Sequence, residues 1–215
     1  MRECQSAFTL IELLVVIGII AIMLVALIPA VSSLSKSSGR KGAVSNLLGA
    51  IEQARAQAIK DGRATYVVFP TFTAGTQPTL DRYSYKAYAI FEDDPAAPTV
   101  PKQLTNWKTL PVGISLRAAG AGAVSALPNP TDSSALTPAV SITFTPDATA
   151  NPFRCFKFNA NGEVESPPSN VLLTVFEGYV SGGAEVITGS KNGTNPLAIE
   201  TITIAHLTGR AERAP

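Results

Sequence analysis

One stretch near the start of the chain constrains what the rest can be. From Leu13 to Val31, LLVVIGIIAIMLVALIPAV, nineteen residues pass without a charge. As a helix, that run is about long enough to cross the hydrocarbon core of a bilayer. Glu12 stands immediately before it, inside the wider apolar run FTLIELLVV. A carboxylate at membrane depth costs about 2.5–3.5 kcal/mol on insertion scales, so Glu12 needs a partner or a task. A plain N-terminal anchor fits the length and leaves Glu12 without either. A cleaved secretory signal would have a shorter apolar core and a more basic start than MRECQSA.

The remainder of the 215 residues is weakly charged. Charged residues make up 15% of the chain, against the usual quarter, and the formal net charge is +1. That excludes a nucleic-acid binder driven by bulk charge. Cys4 and Cys155 are the only cysteines and His206 the only histidine, so no His/Cys metal site is expected. His206 lies in ITIAHLTGR, which reads as a strand, not as a catalytic site. No P-loop, G-x-G-x-x-G or H-E-x-x-H is present. The expectation is a chain that is not an enzyme, with no cofactor, no metal and no small-molecule substrate.

The segment AFTLIELLVVIGIIAIMLVALIPA resembles the N-terminus of type IV prepilins and type II secretion pseudopilins. The shared pattern is a short polar leader, a small residue, an aromatic, T-L-I-E and a long apolar helix. The resemblance implies a leader over residues 1–7, cleaved by a prepilin peptidase between Ala7 and Phe8, and N-methylation of Phe8. Ala7 stands where the family usually has glycine, and the leader's one cation is Arg2. Glu12 then lies one helical turn after Phe8, where carboxylate and new amino terminus compensate each other in lipid. In a filament, Glu12 of an incoming subunit would pair with the Phe8 amine of its neighbour and register the subunit. Cys4 would leave with the leader, so Cys155 could form no internal disulfide and reads as a small buried apolar residue. The implied setting is the bacterial inner membrane, with the N-terminus cytoplasmic before cleavage and the body periplasmic.

Gly18 and Pro29 are expected weak points or kinks in the apolar helix. The Ser- and Gly-rich stretch 32–42 follows, with Lys36, Arg40 and Lys41. For an ordinary anchor, cations there would keep that side in the cytoplasm, against the pilin topology. A helical stripe then runs through Val44, Leu47, Leu48, Ile51, Ala54, Ala58 and Ile59. Asn46, Glu52, Gln53, Arg55, Gln57 and Lys60 form the opposite face, and Asp61-Gly62 reads as a glycine C-cap. A helix over 8–61, membrane-spanning over about 10–31, would be about 80 Å long.

From residue 62 onward the period becomes two. Strands are expected over Thr65–Phe69, Tyr83–Phe91, Val112–Leu116, Val140–Thr145, Phe153–Asn159, Val171–Tyr179 and Ala198–His206, with a hairpin turn at Asn161-Gly162. Loops are expected over Thr71–Leu80, Asp93–Lys102, Ala118–Pro138 and Ser181–Pro196. The fold class is therefore α+β: one long N-terminal helix packed on an antiparallel β-sheet or β-sandwich body over 62–215.

LLGAIEQARAQAIKDGRATYVVF, WKTLPVGISL, FKFNANGEV and TITIAHLTGRAE occur in the order seen in H-type minor pseudopilins and FimT-like minor pilins, and resemble their segments. The resemblance implies a pilin-like fold and a structural subunit of a pilus-like or secretion filament whose partners are other pilins. An alternative is a minor pilin that binds DNA or a surface. Arg210 and Arg213 in G-R-A-E-R resemble a C-terminal G-R-x-R of DNA-binding relatives, although Glu212 stands where the second arginine would be. A further alternative is a plain membrane-anchored β-domain protein. Glu92-Asp93-Asp94 lacks the spaced layout of a calcium loop and reads as a solvated turn. Trp107 reads as a core residue. Tyr83, Tyr85 and Tyr88 read as lining a sheet, with carbohydrate stacking as the competing role.

Overall fold

A computed structural model describes residues 10–71, 83–95, 97–128 and 153–214, with the side chains of 24–37 and 97–100 outside that description. The strand expected over Val140–Thr145 lies outside the described residues. The chain divides into two compact units, Met1–Ser38 and Gly39–Pro215. Helix α1 (Leu10–Asp61) contributes to both.

In the first unit every described apolar side chain of α1 is about half exposed or more, from Val16 at 48% to Leu10 at 81%. Over Leu13–Met23 the helix is apolar on all sides and has no hydrophilic face to give to water.

In the second unit α1 becomes one-sided. Ala43, Val44, Leu47, Ala50, Ile51, Ala54 and Ala58 are buried, as the helical stripe requires. Leu48 is half-buried and Ile59 exposed, so the stripe is narrower than its sequence suggested. Gly62 ends the helix in the left-handed region (φ +63°). The Arg63 N–H then donates to the Ala58 carbonyl at 3.2 Å, closing a Schellman-type cap.

The strands, numbered in chain order, form two antiparallel sheets. The first has the order β3 (Ala97–Gln103), β2 (Ala87–Asp94), β1 (Thr65–Pro70), β6 (Phe153–Phe158), β7 (Val164–Ser166), and β4 (Lys108–Thr109) also pairs with β2. The second has the order β13 (Ala211–Arg213), β12 (Ile199–Ile204), β8 (Val171–Ser181), β5 (Ile114–Leu116), with β9 (Ala184–Ile187) pairing on β8. β10 (Lys191–Asn192) and β11 (Asn195–Pro196) make a short ladder.

Alternation along the strands divides the first sheet's side chains between two cores. Val67, Phe69, Ile90, Phe156 and Phe158 join the buried face of α1. Leu173, Val175, Ile202, Ile204, Ile114 and Leu116 of the second sheet join the same core. On the other face of the first sheet, Tyr66, Val68, Ala89, Phe91, Phe153 and Cys155 make a smaller cluster with Trp107 packed against it. Trp107 stacks on Phe153 at 5.7 Å and tilts against Phe91 at 5.9 Å. Burial pushes the Cys155 thiol up to about 12, so this cysteine is inert at neutral pH.

Several expected loops are ordered strand. β3 lies within the stretch read as a loop over Asp93–Lys102, where Pro98 and Pro101 argued against a ladder. β3 is an edge strand, where proline is tolerated. β9, β10 and β11 fall in the loop read over Ser181–Pro196. β13 takes in part of the G-R-A-E-R segment, for which no strand was expected. These pieces are short and polar, and they are held by backbone pairing that side-chain period does not reveal.

Glu92, read from the sequence as part of a solvated turn, is instead buried in β2. It faces Thr65 across the β1–β2 ladder, and Thr65 Oγ1 and Glu92 Oε1 are both buried without a hydrogen-bond partner. Burial first, and then the Asp61 carboxyl at the helix end, raise the Glu92 pKa above the ordinary 4.5. The folded state therefore holds the Glu92 proton more tightly than the unfolded chain. The resulting stability is complete below about 4.5 and is lost as pH rises through the raised value. Glu92→Gln is expected to remove that slope and to exceed the parent in stability at neutral pH. Urea unfolding midpoints in detergent at pH 4, 5, 6 and 7 check this; parallel curves for the two proteins would exclude it.

Candidate functional site

Two regions hold the residues that the sequence marks. The first is the start of α1. Glu12 sits in its first turn, directly before the fully apolar stretch. Ala7 and Phe8 lie outside the described residues. The helical backbone continues through Gly18 and Pro29, and a Cβ at Gly18 would meet nothing within 4 Å.

The second region is where three weak sequence motifs converge in space. Arg55 comes from the helix segment EQARAQAI, Gly162 from the β6–β7 hairpin, and Gly209 from the turn between β12 and β13. Arg55 Nε donates to the Thr208 carbonyl at 2.8 Å, and Glu52 Oε1 accepts from the Ala211 N–H at 3.1 Å. Both glycines have left-handed backbone, φ +80° at Gly162 and +62° at Gly209. A Cβ at Gly162 would lie 2.6 Å from Ile59 Cδ1, and a Cβ at Gly209 would overlap the Gly162 carbonyl oxygen. Only glycine meets both the turn and the close approach. Asn159 shapes the hairpin, its Oδ1 accepting from the Asn161 and Glu163 N–H groups at 3.0 Å each. His206 fastens the same corner: its Nδ1 lies 2.6 Å from the Val164 carbonyl oxygen, and its own carbonyl accepts from Val164 N–H at 2.9 Å.

The arginines marked for DNA separate in role. Arg213 pairs with Glu200 at 2.6 Å, while Arg210 is exposed beside the turn. Glu200 also faces Arg40 Nε at 3.5 Å, and Arg40 Nη1 is ion-paired with Glu177. Arg40 thus belongs to a largely buried charge network in the second unit.

The remaining candidates are dispersed. Alternation along β2 puts Glu92 on the same face as Ile90, whereas Asp93 accepts the Tyr66 hydroxyl at 2.7 Å on the opposite face. No group of three metal-ligating side chains forms among the described residues. Tyr83 packs on the smaller cluster and Tyr85 and Tyr88 on the main core, so they make no common stacking surface.

Two family models match. The prokaryotic N-terminal methylation motif covers residues 2–28, and the type II transport protein GspH covers residues 43–193, more than half of the chain. The chain belongs to the GspH family. No curated protein matches it. Among solved structures, the type IV minor pilin FimU of Pseudomonas aeruginosa (strain PAO1) is similar at 13% identity, covering 85% of this chain and 92% of that chain, with a TM-score of 0.43. This GspH-family chain is a structural subunit of the pilin and pseudopilin type, and its fold is α+β, one long helix packed on antiparallel sheets. The families matched are structural subunits, not enzymes. Membership implies assembly with other pilins, processing by a prepilin peptidase and membrane anchoring through the N-terminal segment. Among the described residues no helix is long and apolar enough to cross a membrane; the described side chains of the apolar run stop at Met23.

The GspH match includes Arg55 and Gly162, and both serve packing here. Gly209→Ala is expected to cost about 3 kcal/mol or more, combining left-handed strain with overlap. Gly193 has the same handedness (φ +59°) and open space, so Gly193→Ala should cost about 1 kcal/mol. Equal losses in urea unfolding would show that backbone conformation alone governs the turn.

Proposed function

We propose that this chain is a minor subunit of a type IV pilus-like or type II secretion filament, cut between Ala7 and Phe8 and methylated on the Phe8 nitrogen. The observation that carries this reading is the methylation motif over residues 2–28, leading into a helix whose apolar side chains are exposed on every side. Such a surface is stable only in lipid or against other apolar helices. An inner-membrane subunit uses the first environment, and an assembled filament provides the second.

Glu12 is the registering group. In lipid a carboxylate is stabilised by a positive charge close to it, so an incoming helix is held at the depth where Glu12 meets the positive Phe8 amine of a neighbour. The body lies on the periplasmic side. Sequestering Arg40 between Glu177 and Glu200 supports that topology, because one of the cations that would otherwise favour the cytoplasm is already neutralised.

Co-expression with a prepilin peptidase, followed by mass spectrometry of the purified chain, tests the reading. The expected product lacks residues 1–7 and carries one methyl group on Phe8. A full-length chain would refute processing and leave a plain anchored β-domain protein. In the processed protein, Glu12→Ala should leave membrane insertion intact and lower filament incorporation roughly tenfold or more. Unchanged incorporation would refute the registering role.

A further inference from the structure

Glu185 lies on β9, a strand whose neighbours Ala184 and Val186 are exposed, yet its own carboxylate is almost fully buried. The carboxylate accepts four hydrogen bonds. Arg117 Nε and Nη2 donate to Oε1 and Oε2 at 3.2 and 3.1 Å. The Ala118 and Ala119 N–H groups donate to Oε1 at 2.8 and 3.0 Å. A guanidinium fork beside two successive backbone N–H groups is an arrangement suited to carboxylates and other small oxyanions.

The receptor half is built without help from β9. Arg117 N–H donates to the Thr174 carbonyl and Thr174 N–H to the Gly122 carbonyl, each at 2.9 Å, which ties the loop to β8. The Arg117 carbonyl accepts from Val124 N–H at 2.9 Å, and the Ser125 hydroxyl donates to the Ala118 carbonyl. Gly120 closes over the guanidinium: a Cβ there would stand 3.2 Å from Arg117 Nη2. Ala118 itself belongs to the main core. The ligand half is held differently. It reaches the site at the end of a tight turn through Gly182 and Gly183, both left-handed, and β9 pairs with β8 alone.

We propose that Arg117 with the Ala118 and Ala119 amides is a carboxylate-recognition site that the chain fills with its own Glu185, and that an acidic side chain on another protein strand is the partner it fits. The preformed guanidinium and amides supply the recognition, and β9 is the resident, exchangeable strand. No described residue of the N-terminal helix contributes a hydrogen bond to the Glu185 carboxylate, and the proposal does not depend on the filament reading.

The test uses the full chain in detergent, with Glu185→Ala to vacate the site and hydrogen exchange at the Ala118 and Ala119 amides as the readout. Exchange there should accelerate roughly tenfold or more, in line with loss of charge-assisted hydrogen bonds. Sodium acetate should restore protection saturably, where sodium chloride at equal ionic strength does not. A capped peptide of the Gly183–Ile187 sequence should restore it at lower concentration than acetate, and the same peptide with glutamine at the Glu185 position should not. Adding Arg117→Ala should abolish both rescues. If Glu185→Ala fails to fold, Glu185→Gln keeps the side-chain shape and removes the charge, and is read the same way. No rescue by acetate or peptide, rescue by chloride, or rescue that survives the loss of Arg117 would each overturn the proposal.

Discussion

The body of this protein depends on one buried helical face. From Ala43 to Ala58 that face is mostly alanine, with Val44, Leu47 and Ile51 as its larger members. Small side chains let the helix backbone lie close to its neighbours, and the bulk of the core comes from the sheets: Phe69, Phe156 and Phe158 on one, Leu173, Val175 and Ile202 on the other. Each sheet has one apolar face committed to the same helix, so neither can be completed without it. A helix with large residues at Ala50 or Ala54 would overpack this layer, at about 1–3 kcal/mol per site.

The corner at the end of that helix explains why three sequence motifs, far apart in the chain, behave as one. Arg55 and Glu52 hold the backbone of the β12–β13 turn, and Gly162 and Gly209 allow the two turns to touch each other and the helix. Each motif taken alone is a glycine beside a polar residue and has little meaning. Together they close the last strand over the sheet and bring Arg213 to Glu200. Gly209 and Arg213 thus have structural roles of their own, in close packing and in an ion pair. Arg210 keeps an exposed charge, but one cation on a chain of net charge +1 supplies little counterion release.

The sequence showed what periodicity can show. The apolar run after Glu12, the one-sided helix and the strands beginning at Thr65, Phe153 and Val171 have strong apolar patterning, and the structure has elements there. β3 escaped because its prolines are tolerated only at an edge, and edges are invisible until the sheet order is known. The ion pairs of Arg40 were hidden for a related reason. Beside an apolar run a cation looks like a membrane flank, and its partners Glu177 and Glu200 lie far along the chain. Arg117 and Glu185 are likewise remote in sequence, and nothing in either local stretch signals a shared site.

The low charge content has a structural counterpart. Several of the charges are not spread over a solvated surface but drawn into partly buried sets: Arg40 with Glu177 and Glu200, Arg117 with Glu185, Lys157 with Glu165. Buried pairs add little net stability once desolvation is subtracted, but breaking one leaves a charge uncompensated. Their effect is to make the fold specific: each fixes one segment against another that apolar packing alone would leave free to slide. In a small β body with many short edge strands, that specificity is what keeps β9 and β13 in place where the ladders are too brief to do so. At the Arg117 site the two kinds of contact add: β9 pairs with β8 from Ala184 to Ile187, and the Glu185 carboxylate ties that hairpin to the separate loop that carries the Ala118 and Ala119 amides.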